Sequence, residues 1–595
     1  MSLSLLASST TISSPVTSGN PLRQRANTRP AVHLSNRAPY TSCEQNKQNK
    51  DDTHVVDRRN VLLGLGGLYG ATATATIGGN TTAIGAPLSP PDLSKCHLAT
   101  DDATNQQVKC CPPYTTAKFK DFEPPSHRDP LRVRKPAHKL RADEIARFEE
   151  AIAKMKALPA DDPWSYMQQA TIHCTYCNGA FDQKGTETLL QIHGSWFFLP
   201  WHRYYLYFWE RILGKLIGDP TFAIPYWNWD TPEGMYMPKI YLNPQSPLYD
   251  DTRDKNHYSS VLDYNYAYGD PNPAGPQIEE TITSNLCRLD RIFKESHHQP
   301  SLFMGKPLRA GEVVPANASG SCENLHNTMH QWVGPPTSPY YNMGNFYTAA
   351  RDTIFFGHHA NIDRLWDVYS KFRGQRPEFR DRDWLDSTFI FYDENREVVQ
   401  VKVRDSLTPE HLRYTYSPEK LPWTNIRRQC RKLKKAAKKR SAGDSMKLIP
   451  VSEFGSQPRA LTETIRALVA RPKTSRSKDE KEEAVEVLVI EGITVPPGTP
   501  ARFDIYVTQP IEGLVGPDNG ELAGSYVKIP HGHHKSSASA GHSHGNSNLE
   551  LGISTLLEDI EGEGSDKLVV TLVPRNGDVT VAGIHIDLFD VDEED

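Results

Sequence analysis

Three things are missing from this 595-residue chain. It has no strongly apolar run of about 18 residues, the length a membrane span needs, so no transmembrane helix is expected in the mature protein. It has no strong charge imbalance: the net charge is -5, so electrostatics calls for neither nucleic acid nor a lipid surface as partner. And from Met1 to Cys43 it contains no Asp or Glu at all. No repeat of solenoid period is visible either.

The acid-free start is rich in Ser and Thr, with Arg23, Arg25, Arg29 and Arg37 scattered through it. That is the composition of a plastid transit peptide. "DRRNVLLGLGGLYG" then sets Arg58 and Arg59 before a mildly apolar stretch, the pattern of a twin-arginine export signal. "TTAIGAPLSPPD" supplies small residues for a cut near Gly85 or Ala86. Two tandem signals predict two membranes crossed, envelope then thylakoid, with residues 1–85 removed and the protein in the thylakoid lumen of the chloroplast. That compartment permits disulfides, which matters for the nine cysteines.

Length predicts two domains plus extras. After a Pro-rich stretch, "ADEIARFEEAIAKMKAL" has apolar residues at 145, 148, 152 and 155, a helical spacing. "WHRYYLYFWERILGKLIG", "CENLHNTMHQWVG" and "TIFFGHHANIDRLWDVYSKF" also read as helices. Long Pro/Asn/Gly loops lie between them, so residues 140–372 form a helix bundle with long loops. "DWLDSTFIFYDENREVVQVKV" switches to strand alternation around a turn. "RRQCRKLKKAAKKRSAG" carries nine Lys/Arg between Arg427 and Arg440. Without interleaved aromatics it reads as a solvated, protease-accessible linker rather than a nucleic-acid patch. The tail holds short β-rich runs, "AVEVLVIEGITVPP", "ARFDIYVT", "GSYVKIP", "KLVVTLVPR" and "VTVAGIHIDLFDV", which predict an all-β sandwich nearly free of helix. The expected division is 86–425 for the helical domain, 426–455 for the basic linker and 456–595 for the sandwich. "HGHHKSSASAGHSHG" within the tail reads as a solvated loop.

The chemistry lies in the histidines. "IHCTYC" sets His173 beside Cys174 and Cys177, which admits a zinc knuckle, a redox pair or something less common. His193 and His202 follow on or beside neighbouring helices. Later, His326 and His330 stand at i, i+4 on one helix face, and "FFGHHANIDRLW" offers His358 and His359. Three plus three imidazoles suit two metals. The bundle lacks the Glu-x-x-His pairs of di-iron and di-manganese sites. All-imidazole ligation fits copper or zinc.

Taken together, "SPPDLSKC", "CCPP", "IHCTYCNGAF", "FFLPWHRYYLYFWER", "PYWNWD", "FFGHHANIDRLW", "DWLDSTFIFYDEN" and "RFDIYV" resemble the plant polyphenol oxidases, catechol oxidase or tyrosinase-like type 3 copper proteins. The resemblance runs from the tandem signals to the C-terminal domain. It implies a mainly α, four-helix-bundle dicopper domain followed by the β-sandwich. It gives copper A to His173, His193 and His202, and copper B to His326, His330 and His359, with His358 as a neighbour. Asp363, one turn beyond His359, is then a residue that orients a ligand from behind. The resemblance further implies a Cys177–His193 thioether and the disulfides Cys96–Cys111 and Cys110–Cys174, which pin the irregular N-terminal wrap.

The same resemblance implies oxidation of o-diphenols to o-quinones with reduction of O2 to water, and admits monophenol hydroxylation. Phe346 takes the place of a bulky gate over copper A. Asn327, just after His326, matches a residue that assists a catalytic water. Glu323 matches the water-holding residue by type but stands three residues before His326 where the pattern has four. The C-terminal domain is expected to shield the site, making the enzyme a zymogen opened by a cut between Arg427 and Arg440. Two rival readings share parts of the pattern: a haemocyanin-like O2 carrier, separated by its lack of turnover, and a zinc hydrolase, separated by metal analysis. The expected partners are small phenols, with no nucleic acid and no stable membrane span; the oligomeric state is not fixed by the sequence.

Overall fold

The computed structural model describes residues 85–101, 103–113, 118–313, 319–374, 379–441, 451–510, 520–530 and 547–591. Both expected targeting signals and the His-rich stretch at 531–545 lie outside the described residues. Among the described residues no helix is long and apolar enough to cross a membrane.

Six helices build the first part of the chain: α1 (Ala142–Lys156), α2 (Tyr166–Cys177), α3 (Phe198–Ile217), α4 (Gln277–Glu295), α5 (Ser321–Val333) and α6 (Ile354–Phe372). Local signals set their ends. The Ser165 hydroxyl caps α2 by accepting from the Gln168 N–H at 3.3 Å. Pro200 falls in the first turn of α3, where no helical N–H is required of it. Gly218 ends α3 at φ 67°, a left-handed conformation that glycine adopts without strain. Helices α2, α3, α5 and α6 are buried over most of their length. They need no polar face because long loops cover them, as their mixed apolar and histidine content allows. A hairpin of β1 (Thr388–Tyr392) and β2 (Val398–Lys402) packs beside α3.

The N-terminal wrap is held by disulfides Cys96–Cys111 and Cys110–Cys174, the second tying it to α2. A third, Cys287–Cys430, joins α4 to the basic stretch. That stretch is largely exposed, as a solvated segment would be, but it is not irregular. It is helix α7 (Arg427–Ser441), packed on α4. Lys and Arg are good helix formers and no Gly or Pro interrupts them. Arg427 pairs with Asp559 at 2.8 Å and Lys434 pairs with Glu521, while Arg428, Arg431, Lys432 and Lys435 stay exposed.

The C-terminal sandwich has seven main strands: β3 (Ile465–Ala470), β4 (Ala484–Ile493), β5 (Ala501–Thr508), β6 (Glu521–Lys528), β7 (Ser547–Gly552), β8 (Lys567–Asn576) and β9 (Gly583–Asp590). One antiparallel sheet runs β7-β4-β9, the other β6-β5-β8-β3. Leu488 and Ile490, Phe503 and Ile505, and Leu568 and Val570 fill the space between them, two apart on each strand. On the outer face of β4, Val485, Val487 and Val489 pack with Leu302 of the helical part. That second apolar face explains why "AVEVLVI" does not alternate. Two short helices, Lys478–Glu483 and α8 (Ser554–Asp559), interrupt the strands. Val469 and Leu549, on β3 and β7, lie in runs too short for the sequence pattern to single out.

The two parts are docked through polar anchors as well. The Arg502 guanidinium, fully buried, donates to Tyr266 O at 2.6 Å and Tyr264 O at 3.1 Å, and pairs with Asp504. The Glu295 carboxylate, at the end of α4, accepts from Leu556 N at 2.7 Å and from the Thr555 hydroxyl at 2.6 Å.

Candidate metal centre

Seven buried histidines meet at the middle of the bundle. His173, His193 and His202 form one group and His326, His330, His358 and His359 another. Within each group the potential ligand atoms lie within 4.8 Å of one another. His173 projects from α2, His202 from α3, His326 and His330 from one face of α5, and His358 and His359 from α6. His193 stands on the loop before α3. The groups adjoin: the His202 and His359 rings stack with centroids 4.2 Å apart.

Backbone carbonyls set the ring tautomers. His173 Nδ1 donates to Phe346 O at 3.1 Å, His202 Nδ1 to Phe198 O at 2.7 Å and His330 Nδ1 to Met343 O at 2.6 Å. A carbonyl only accepts, so each Nδ1 carries the proton and each Nε2 keeps its lone pair. His326 Nδ1 is engaged in the same way by Asn327 Oδ1 at 3.1 Å. The consequence at the second group is direct. His326 Nε2 lies 2.9 Å from His330 Nε2 and 3.2 Å from His359 Nε2. The His326 and His330 lone pairs, crowded at 2.9 Å, repel unless a cation sits between them. In the first group, the buried Nε2 atoms of His173 and His202 have no hydrogen-bond partner among the described residues. Uncompensated buried polar atoms are costly, and metal ligation would satisfy them. The residues fit two metal ions held by neutral imidazole.

Electrostatics agrees. Burial, more than any neighbour, pushes these rings toward the neutral form: His202 down to about 3, His330 down to about 4, and His173, His326, His358 and His359 well below the usual imidazole range. Neutral imidazole is the ligating form.

The other expected site residues fall at specific places. Phe346 stacks on His193, with centroids 4.3 Å apart at 21°, so it walls the first group. Asn327 touches His326 through Oδ1 and donates through Nδ2 to Val527 O at 2.8 Å. Glu323 is buried, and both carboxylate oxygens accept from Gly194 N at 3.0 Å. Burial pushes it up to about 8. Cys177 is buried and outside any disulfide. Gln191 bridges it to His193: Nε2 donates to Cys177 O at 2.7 Å and Oε1 accepts from His193 N at 2.9 Å.

Asp363 differs from the role expected of it. Its hydrogen bonds go to Arg203, Arg134, Tyr414 and Tyr416, and to no histidine. It binds α6 to α3 through Arg203, the neighbour of His202. Glu210, paired with Arg132 and Arg134, continues the buried ion network. No local spacing reveals this network, because the partners lie 160 or more residues from Arg203 and 76 or more from Glu210; Arg132 and Arg134 stand on a short strand, Arg132–Arg134.

The sandwich closes the centre. Besides the Val527 contact, Gln331 Nε2 donates to Lys528 O at 3.0 Å and Phe346 N to Pro530 O at 3.1 Å. The end of β6 thus lies across residues from α5 and the Phe346 loop.

Residues 163–371 match the common central domain of tyrosinase, 378–429 the polyphenol oxidase middle domain, and 457–588 the chloroplastic polyphenol oxidase C-terminal domain. The chain is 44% identical to a chloroplastic polyphenol oxidase of Vitis vinifera, over 96% of this chain and 95% of that protein. It superposes on latent apple tyrosinase with a TM-score of 0.70 at 43% identity, covering 79% of this chain and 100% of that one. It superposes on an active aurone synthase, described with copper B, with a TM-score of 0.53 at 39% identity, covering 56% and 100%. The chain belongs to the chloroplastic polyphenol oxidase family, copper oxidoreductases of the tyrosinase type.

Proposed function

We propose that His173, His193 and His202 hold copper A, that His326, His330 and His359 hold copper B, and that the pair serves oxidation of catechols to o-quinones. When bound, the coppers supply the electron exchange by which two catechols give up four electrons and four protons and one O2 becomes two waters. The observation that carries this reading is the convergence of the Nε2 lone pairs of His326 and His330, 2.9 Å apart, with His359 Nε2 3.2 Å from His326 Nε2.

The chain supplies geometry and dryness. Carbonyls of Phe198, Met343 and Phe346 fix the imidazole tautomers, so no ring must turn when a metal enters. Phe346 offers an apolar face beside His193, where a phenol ring can pack. The Cys177–His193 thioether remains part of the proposal, supported by the Gln191 bridge between the two residues; a mature protein still two hydrogens lighter than its sequence after its disulfides are reduced would test it. Glu323 is spent on Gly194 N and Asn327 on His326 and Val527. Both side chains are thus engaged while the sandwich is seated, and the activity proposed is catechol oxidation. The carbonyls of Val527, Lys528 and Pro530 support latency, relieved by a cut in the basic stretch that begins at Arg427. The thylakoid lumen is the proposed compartment, consistent with three disulfides.

The test is copper content with turnover. Two coppers per chain and quinone formation from 4-methylcatechol, faster after limited proteolysis, are expected. One copper per chain, or equal rates before and after cutting, would refute the respective part.

A further inference from the structure

The segment "PYWNWD" has a task that the ligand assignment leaves unexplained. It runs along the start of α6. Trp227 N donates to Gly357 O at 2.8 Å, and Asp230 takes Asn361 Nδ2 at 3.0 Å and the Arg364 guanidinium at 2.9 Å. Between these, the Trp229 indole N–H donates to His358 Nδ1 at 3.1 Å. Trp229 is itself held, its carbonyl accepting from Tyr264 OH at 2.7 Å. All of these side chains are buried.

His358 poses a problem for a working metal site. Its ring stacks on His326 at 14°, and it belongs to the same group of four as His326, His330 and His359. The first group has three imidazoles and the second has four. A catalytic metal needs an open position for substrate. A fourth imidazole on copper B would fill it.

The chemistry of the indole resolves this. Trp Nε1–H is a donor only. His358 Nδ1 must therefore be unprotonated, with its lone pair engaged by the indole. A neutral imidazole has one ring proton, which then sits on Nε2. Neither nitrogen retains a lone pair for a metal. This is so whichever nitrogen lies nearer the ion.

We propose that Trp229 is a positioning residue that withholds His358 from copper B, leaving three imidazoles on the ion and one position open. This rests on the copper reading given above. It assigns to the Trp229–His358 pair a function distinct from ligation: it selects His359 over its neighbour by tautomer rather than by distance.

The test uses the full chain, copper-free and copper-loaded, labelled with [15N]histidine. In the copper-free native protein, the His358 signal, identified by its loss in His358→Leu, is expected to show an unprotonated Nδ1 and a protonated Nε2. A protonated Nδ1 would overturn the proposal, and this measurement needs no Trp229 variant to fold. In the copper-loaded, proteolytically opened protein, Trp229→Phe is expected to keep two coppers but to lose about 10-fold or more in catechol oxidation. Adding His358→Leu to Trp229→Phe removes the competing ligand, and the rate is expected to return to within about 3-fold of native. A merely structural Trp229 would not be rescued in this way, so a double variant no faster than Trp229→Phe overturns the proposal. A native protein with fewer than two coppers refutes the copper reading instead, so the two failures are told apart.

Discussion

Asn327 bonds His326 and Val527 with one amide, accepting from His326 Nδ1 at 3.1 Å and donating to Val527 O at 2.8 Å. A side chain that supports a histidine of the metal centre is thus also a docking point for the sandwich. Unseating the sandwich frees that amide group and uncovers Phe346 at the same time. Access to the site and the hydrogen bonding behind it change in one event.

Arg502 is the place to perturb that event without touching the metal centre. Its guanidinium reaches from β5 to the carbonyls of Tyr264 and Tyr266. Truncating a buried, hydrogen-bonded charge at an interface costs about 2–5 kcal/mol. Uncut Arg502→Ala is therefore expected to oxidise 4-methylcatechol several-fold faster than uncut native protein, with the cut forms equal. An uncut variant as slow as native would mean that Arg502 does not hold the sandwich in place.

Asp363→Asn is expected to damage the centre from behind. The carboxylate is buried against Arg203 and Arg134. Burial alone would raise it, but the two guanidiniums hold it below the usual carboxylate range. Leaving buried guanidiniums unpaired costs about 3–5 kcal/mol. A lower melting temperature and reduced copper retention should appear together, because Arg203 adjoins His202. Unchanged melting would show that Tyr414 and Tyr416 suffice.

Much of the architecture was legible in the sequence, for stated reasons. Helical spacing located α1, which buries one face, and α3, whose apolar residues recur at helical intervals although it is buried nearly all round; β-rich runs between turns located β1, β2 and most of the sandwich. The histidines were legible because ligand chemistry restricts residue type. Three features were not. Arg134 and Glu210 are ordinary surface residues until the fold buries them. The basic stretch from Arg427 looked solvated because its anions, Asp559 and Glu521, come from the far end of the chain. Cys287 and Cys430 stand 143 residues apart with no motif around either. Asp363 was found by its place after His359, but its partners are arginines rather than a ligand ring.

The docking should depend on pH through Asp559. Burial tends to raise this carboxyl, but the hydrogen bond from Arg427 and the charges of Arg291, Arg427 and Arg431 outweigh it and hold it below its usual value of 3.8. A depressed value means that the docked state binds fewer protons than the undocked one. Its contribution is fully present above 3.8 and is lost as pH falls through the depressed value. Glu295 acts with the opposite sign, since burial raises it above 4.5, and favours docking more at the acid end of its own window. The activity of uncut protein relative to cut protein, both assayed at the same pH, should therefore rise as pH falls below about 4. Asp559→Asn should flatten that acid response. An Asp559→Asn protein with the native response would assign the effect elsewhere.

The Cys287–Cys430 bond makes the final expectation. It closes a loop of 143 residues that contains α5, α6 and the second histidine group. In the chain-entropy model such a crosslink stabilises the fold by about 4–5 kcal/mol, chiefly by restricting the unfolded chain. It also fixes the first turn of α7 to α4, where Arg427 meets Asp559. The Cys287→Ser/Cys430→Ser protein should melt lower and be cut more readily between Arg427 and Ser441, since a protease needs that helix to open. Its copper content should stay at the native level, because neither cysteine adjoins a histidine of the centre. Cutting there would remove the part of α7 that pairs with Glu521, so the variant should also be activated at lower protease dose. If native and variant proteins are cut at the same sites with the same dose dependence, α7 is held by its ion pairs alone.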